Sequence, residues 1–227
     1  MKLHVIKPSV NNMCVLVLVR AAGLDVEEVD AYGQTRTDEF LRICPAHLTP
    51  LLEADGLPNG VLWESCAIMQ YLCTANGLSQ YYPDAAGERA KTDSAMQYLV
   101  GTLYPLVARA TYPALGFTLY PGEVGASEAS DGEKATAQQA AQDALVEPMG
   151  VFKSYFMGGG DFIGGSAPSI ADMRLASTLE FLNAIDGAAP DWMPAYIAAM
   201  ETALGTAYTE PAADVRGYLD YVKSKAG

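Results

Sequence analysis

The sequence predicts an α/β segment followed by an all-α segment, and three observations carry that reading. Strand-like and helix-like patterns alternate as β-α-β-α-β-β-α through about the first 75 residues. Beyond residue 88 no strand pattern recurs, and each long stretch has helical spacing. Half of the 227 residues are hydrophobic, enough for a full core in one large unit or in two small units sharing an interface.

The elements follow in order. LHVIK (3–7) reads as a strand. NNMCVLVLVRAAG (11–23) is apolar nearly all round, as a buried helix is, with Gly23 at its stop. DVEEVDAY (25–32) alternates as a second strand. TDEFLRIC (37–44) is a short helix with Thr37 as its cap and Pro45 just beyond. PLLEADG (50–56) and GVLW (60–63) form a hairpin, and a helix runs from about Ser65 to Ala75. The first two strands are joined through a helix and should be parallel, whereas the hairpin strands are antiparallel. GLSQYYPDAAG (77–87) is the linker, so the expected halves are residues 1–80 and 88–227. In the second half five helices are expected, at 88–112, 133–157, 169–185, 191–204 and 213–224. Pro105 and Pro148 should kink or break the first two. GFTLYPGEVGASEASDG (116–132) is Gly- and acid-rich and reads as an exposed loop.

The net charge is −13 and there is no Lys/Arg run, which argues against nucleic acid and anionic membranes as partners. No apolar run is long enough to span a bilayer, and MKLHVIKP lacks the apolar core of a signal peptide. A cytoplasmic location is the expectation. Cys14, Cys44, Cys66 and Cys73 form no Cys-x-x-Cys pair, and no Cys/His cluster has zinc spacing, so no metal site is expected. Each cysteine reads first as a buried, reduced thiol.

Two stretches carry possible chemistry. In VLWESCAIMQYL (61–72) a carboxylate and a hydroxyl stand where a strand gives way to a helix. Ser65 could cap that helix with Glu64 beside its positive end, or the pair could hold an amine-bearing ligand. In ICPAHLTPLLEADG (43–56) a proline opens the third strand, a position that needs no ladder donor. A trans turn is the ordinary reading of Thr49–Pro50; a cis bond would turn the Thr49 backbone outward, ready to pair with a peptide-like ligand.

Four stretches, in this order along the chain, resemble the cytosolic glutathione transferases. They are PAHLTPLLE (45–53), WESCAIMQYL (63–72), YYPDAAGERA (81–90) and DFIGGSAPSIADMRL (161–175). The resemblance implies a thioredoxin-like N-terminal domain and an all-helical C-terminal domain. It implies a cis bond before Pro50, with the Thr49 backbone pairing with the cysteinyl part of glutathione. Glu64 would meet the ligand's α-ammonium, Ser65 and the helix start its α-carboxylate, and His47 the glycyl carboxylate. Glutathione enters as co-substrate, with no metal.

An ordinary thiol is only a few per cent thiolate at neutral pH, so a donor at the sulfur is required. KPSVNNMC (7–14) has no Tyr, and Cys14 lies a turn into the helix, too late for a Cys-type site. Ser9 stands where Ser-type members, theta- or phi-like or of a related bacterial class, keep their hydroxyl. The expected catalytic pair is Ser9 with Asn11, Asn12 assisting at the ligand; the alternative for Ser9 is simple helix capping. Two departures stand out: Cys44 replaces an Asn, and Met13 replaces an Arg found in many Ser-type members. The second removes a positive neighbour of the thiolate.

GTLYPLVARATYPALGF (101–117) aligns with the family's wall for a small hydrophobic electrophile, with Tyr104, Arg109, Tyr112 and Phe117 as lining candidates. Arg109 either pairs with a carboxylate or faces the cleft. Ser169 and Asp172 are expected to form a structural capping box. The implied activity is conjugation of glutathione to an apolar electrophile by a homodimer. The alternatives are a glutathione-dependent disulfide or peroxide reductase without a protein cysteine, and a non-catalytic interaction module.

Overall fold

The computed structural model of the chain describes residues 1–116 and 130–226. Its first part contains β1 (Lys2–Val5), α1 (Val10–Ala21), β2 (Glu27–Asp30), α2 (Asp38–Ile43), β3 (Leu51–Glu53), β4 (Val61–Trp63) and α3 (Ser65–Ala75). The strands lie in the order β2-β1-β3-β4, with β1 and β2 parallel and the other pairs antiparallel. This is the expected mixed sheet. Leu51 and Leu52 are both fully buried because both faces are covered. Leu52 joins the main core, while Leu51 packs with Ala31, Phe40 and Cys44 beneath α2. Thr37 caps α2 by accepting from the Phe40 N–H at 3.3 Å. Gly23 ends α1 at a φ of 61°, which a side chain would disfavour.

Helices make up the second part: α4 (Ala86–Tyr98), α5 (Tyr104–Thr111), α6 (Asp131–Val151), α7 (Ile170–Glu180), α8 (Met193–Leu204) and α9 (Thr206–Ala226). The expected break at Pro105 takes the form of a π-turn at Leu99–Leu103, after which Pro105 sits in the first turn of α5. At Pro148 the helix is not broken. Helix α6 runs through it, held by buried Ala141, Leu145 and Met149, and the widened turn comes only at Phe152–Phe156. Likewise α9 begins seven residues before the expected 213 and crosses Pro211, because packing against α1 and α8 outweighs the local propensity. The acid-rich stretch lies outside the described residues save its ends.

Helix α7 is buried along its whole length and packs on α1, so it joins the two parts. Its N-terminus is fixed by Asp172. That carboxylate accepts from the N–H groups of Ile163 (2.7 Å), Gly164 (3.0 Å) and Ser169 (2.8 Å), and from the hydroxyls of Ser169 (2.8 Å) and Tyr196 (3.0 Å). The Ser169–Asp172 capping box is present. Burial pushes the Asp172 carboxyl above the usual carboxylate range, against the pull of these donors. Gly164 has to be glycine, since a Cβ there would meet the Ala167 carbonyl at 2.4 Å. At the other end of α7, the fully buried Glu180 accepts from Arg216 at 2.6 and 3.0 Å and from Tyr208 at 2.9 Å, which draws α9 onto α7.

Asp172→Ala leaves four buried or half-buried donors without an acceptor, while the Tyr196 hydroxyl keeps the Asp172 backbone carbonyl. We expect it to lower stability by about 3 kcal/mol, near 10 °C in melting temperature for a chain of this size. A thermal or denaturant melt that matches the parent would remove the anchoring role.

Candidate active site

Ser9 stands at the joint between β1 and α1. Its N–H donates to the Ile6 carbonyl at 2.9 Å and closes the turn after the strand. It is the N-cap of α1, with φ −84° and ψ 125°, yet its side chain makes no capping hydrogen bond. The hydroxyl is therefore available to the cleft that it lines.

That cleft, about 400 Å³, runs between the two parts of the chain. Ser9, Asn11, His47 and Thr49 line one side; Tyr104 and Tyr112 line the other. An adjoining depression of about 510 Å³ at the ends of β1 and β2 carries none of the predicted site residues. Thr49–Pro50 is cis, as the resemblance implied, and Pro50 is buried at the start of β3. The two non-glycine residues with positive φ among the described residues are His47 (48°) and Glu64 (77°). Such backbone persists only where its surroundings fix it, and it concentrates at binding sites.

Asn11 lines the cleft, and Asn12 does not. Both ends of the Asn11 amide are engaged: Nδ2 donates to the Tyr104 hydroxyl at 2.8 Å, and Oδ1 accepts from Arg174 at 2.6 Å. The Nδ2 group has a second hydrogen beyond the one given to Tyr104, so Asn11 keeps a donor. Asn12 is fully buried and donates to Thr49 Oγ1 at 3.1 Å, so it supports Thr49 from behind, out of reach of a ligand in the cleft. Its Oδ1 is buried without a partner.

At α3 the cap is Glu64, not Ser65 as proposed from the sequence. The Glu64 carbonyl accepts from the Ile68 N–H at 2.9 Å, and its side chain makes no capping bond. Ser65 is the first helical residue, 6% exposed. Both stand at the start of α3, outside the cleft lining. Glu64 is exposed, and among the described residues no cation pairs with it.

On the helical side, Tyr104 and Tyr112 hydroxyls lie 3.2 Å apart. Arg109, on α5, is not among the residues that line the cleft. Phe117 lies outside the described residues. Sequence reasoning missed Tyr32, Thr35, Phe181 and Tyr218, which also line the cleft. Tyr218 is carried in by α9 and donates to the Leu115 carbonyl at 3.2 Å. No local motif marks these four; the fold gathers them. All four cysteines are buried and unpaired. Burial pushes the thiol of Cys14 up to about 11 and that of Cys73 up to about 12, and also raises Cys66. None of these three is a ready nucleophile. Among the described residues no group of His, Cys, Asp and Glu is placed to hold a metal ion.

A four-stranded mixed sheet with a cis-proline at the cleft, backed by an all-helical part, defines a glutathione-transferase-like class of chain. The comparisons agree. Residues 1–74 match the family model for the N-terminal domain of glutathione S-transferase, and residues 135–201 match one for its C-terminal domain. The chain belongs to the glutathione S-transferase family. Glutathione S-transferase D7 of Drosophila melanogaster is 30% identical over 168 residues, 72% of this chain and 66% of that protein. The D7 protein of Anopheles gambiae is 32% identical over 117 residues, 50% of this chain and 52% of that one. The chain thus spans between half and two thirds of these curated relatives. An epsilon-class glutathione S-transferase from the housefly, Musca domestica, has a similar structure, with a TM-score of 0.77 at 26% identity over 99% of this chain and 97% of that one.

The support that Asn12 gives Thr49 is open to a double-mutant cycle. Asn12→Ala and Thr49→Val, alone and together, should show a coupling of about 1 kcal/mol in denaturant unfolding. Additive effects would mean that the 3.1 Å contact contributes nothing.

Proposed function

We propose that the chain is a Ser-type glutathione transferase that conjugates the glutathione thiolate to small apolar electrophiles. The observation that carries this reading is the Ser9 hydroxyl, which stands at a helix start, makes no cap, and lines the same cleft as His47 and Thr49. A hydroxyl so placed can donate to a sulfur anion and favour its charged form. Asn11 lines the same cleft and has a second Nδ2 hydrogen beyond the one given to Tyr104, so it can assist. The Thr49 backbone beside cis-Pro50 pairs with the cysteinyl part of glutathione, and His47 reaches its glycyl carboxylate. Glu64, exposed and without a cation of its own, takes the α-ammonium, and the start of α3 takes the α-carboxylate. Tyr104, Tyr112, Phe181 and Tyr218 give the second substrate a largely aromatic wall. Residues 1–80 form the glutathione domain and 88–227 the electrophile domain. No described helix is long and apolar enough to cross a membrane. A cytoplasmic home would keep the four unpaired cysteines reduced.

Ultraviolet titration of the bound thiol tests Ser9. In the wild type the glutathione thiol should titrate below its ordinary value near 8.5, and Ser9→Ala should restore that value. Only the thiolate attacks, so the rate should rise with pH through the bound pKa, and the rise should move to higher pH in the variant. At neutral pH the variant should lose about 100-fold in kcat/KM. Identical titrations would leave Ser9 as a helix-start residue and no more.

We further propose a homodimer. The resemblance supports it, together with Trp63, 40% exposed on the edge strand β4. Sedimentation should give twice 24.1 kDa; a monomer at micromolar concentration would refute it.

A further inference from the structure

One charged group remains unaccounted for. Arg174, on α7, is 2% exposed, and its guanidinium lies directly behind the cleft wall. It donates to Thr178 Oγ1 at 2.5 Å and to Asn11 Oδ1 at 2.6 Å, and it stacks over the Tyr104 ring at 5.1 Å. Its Nε is buried without a partner. Among the described residues no carboxylate lies within 4.0 Å of it, although the buried Glu180 on the same helix has Arg216. A buried guanidinium keeps its charge, and burying a charge without a counter-ion is strongly unfavourable.

The groups facing Arg174 do not neutralise it. From α1 come the Asn11 amide and the thiol of Cys14; from α3 comes the thiol of Cys66, with Glu64 exposed beyond it. From α5 comes the Tyr104 ring. Burial keeps both thiols in their protonated form at neutral pH. The amide and the ring are dipole and quadrupole, not anions. The Asn11 and Tyr104 that Arg174 touches are themselves cleft-lining residues. An anion that arrives in the cleft therefore meets the field of this cation across a single layer of side chains.

We propose that Arg174 is the built-in counter-charge for the glutathione thiolate: a positioning residue on the helical part that lowers the thiol pKa from behind the cleft wall. The inference rests on the glutathione reading above. It also answers the departure at position 13, where Met13 is fully buried in the core and brings no charge. The cation that α1 lacks is supplied by α7. Because Asn11 stands between the charge and the cleft, the effect should be at the lower end of what a neighbouring cation produces, about one pH unit.

The test titrates the thiol of bound glutathione in Arg174→Lys, Arg174→Gln and Arg174→Met, with S-methylglutathione binding as control. Lysine keeps the charge, glutamine keeps a donor for Asn11, and methionine keeps neither. We expect Arg174→Lys to hold most of the depressed pKa. Arg174→Gln and Arg174→Met should raise it by about one unit, leaving about tenfold less thiolate at neutral pH. S-methylglutathione, which has no thiol to ionise, should bind all four proteins alike. If Arg174→Met does not fold, the Lys and Gln pair decides. An unchanged pKa in Arg174→Gln overturns the proposal, as does equal loss in Lys and Gln or weakened S-methylglutathione binding in Gln. If Ser9→Ala moves the pKa and Arg174→Gln does not, this inference alone fails. If the wild type shows no depression, the thiolate reading under Proposed function fails and takes this one with it.

Discussion

Every residue of α7 from Ile170 to Glu180 is buried, and a single carboxylate holds the start of that helix in place. Asp172 gathers two N–H groups of the preceding loop, both donors of Ser169 and the Tyr196 hydroxyl of α8. A lone buried carboxylate would be costly; five donors converging on it make the arrangement tolerable. The helix so placed does three further jobs. It packs on α1, it offers Glu180 to Arg216 of α9, and it sets Arg174 behind Asn11. The cleft geometry therefore rests on a carboxylate that does not line it.

The site itself is a product of both parts. β1 and α1 deliver Ser9, and the loop before β3 delivers His47 and Thr49. The opposite wall comes from α5, from Phe181 just after α7, and from α9. Linker contacts fix the relation between them: the Tyr81 hydroxyl donates to the Ala21 carbonyl at 3.0 Å, and the Tyr81 carbonyl accepts from the Ile170 N–H at 2.9 Å. One tyrosine thus ties the end of α1 to the start of α7.

Much of this was legible in the sequence, and the limits have physical causes. Alternation and helical periodicity located the seven elements of the first part, because each is amphipathic or bounded by Gly, Pro or a cap. The cis bond before Pro50 was not decidable from the residues; the resemblance supplied it. The break expected at Pro148 is absent and α9 begins ahead of Pro211, since proline's local penalty was outweighed by burial that only the tertiary fold reveals. Ser65 was read as a cap because serine favours that position, but the backbone turn at Glu64 moves the cap back by one. Arg109 was singled out as an ionisable residue within an apolar helix. The same criterion applies to Arg174 in SIADMRLASTLEFL, where the capping motif drew attention instead. Tyr32, Thr35, Phe181 and Tyr218 share no spacing, so periodicity could not have collected them.

Helix α1 is buried from Asn12 to Val19, covered on one side by the sheet and α3 and on the other by α7 and α9. Its apolar residues therefore join one core that runs through both parts. A fragment ending in the linker would present half of that surface to water, and the helical part alone would lose the ridge on which α7 and α9 lie. The boundary visible in the sequence is thus one of architecture and not of cooperativity: the chain should melt in a single transition, as one thermodynamic unit.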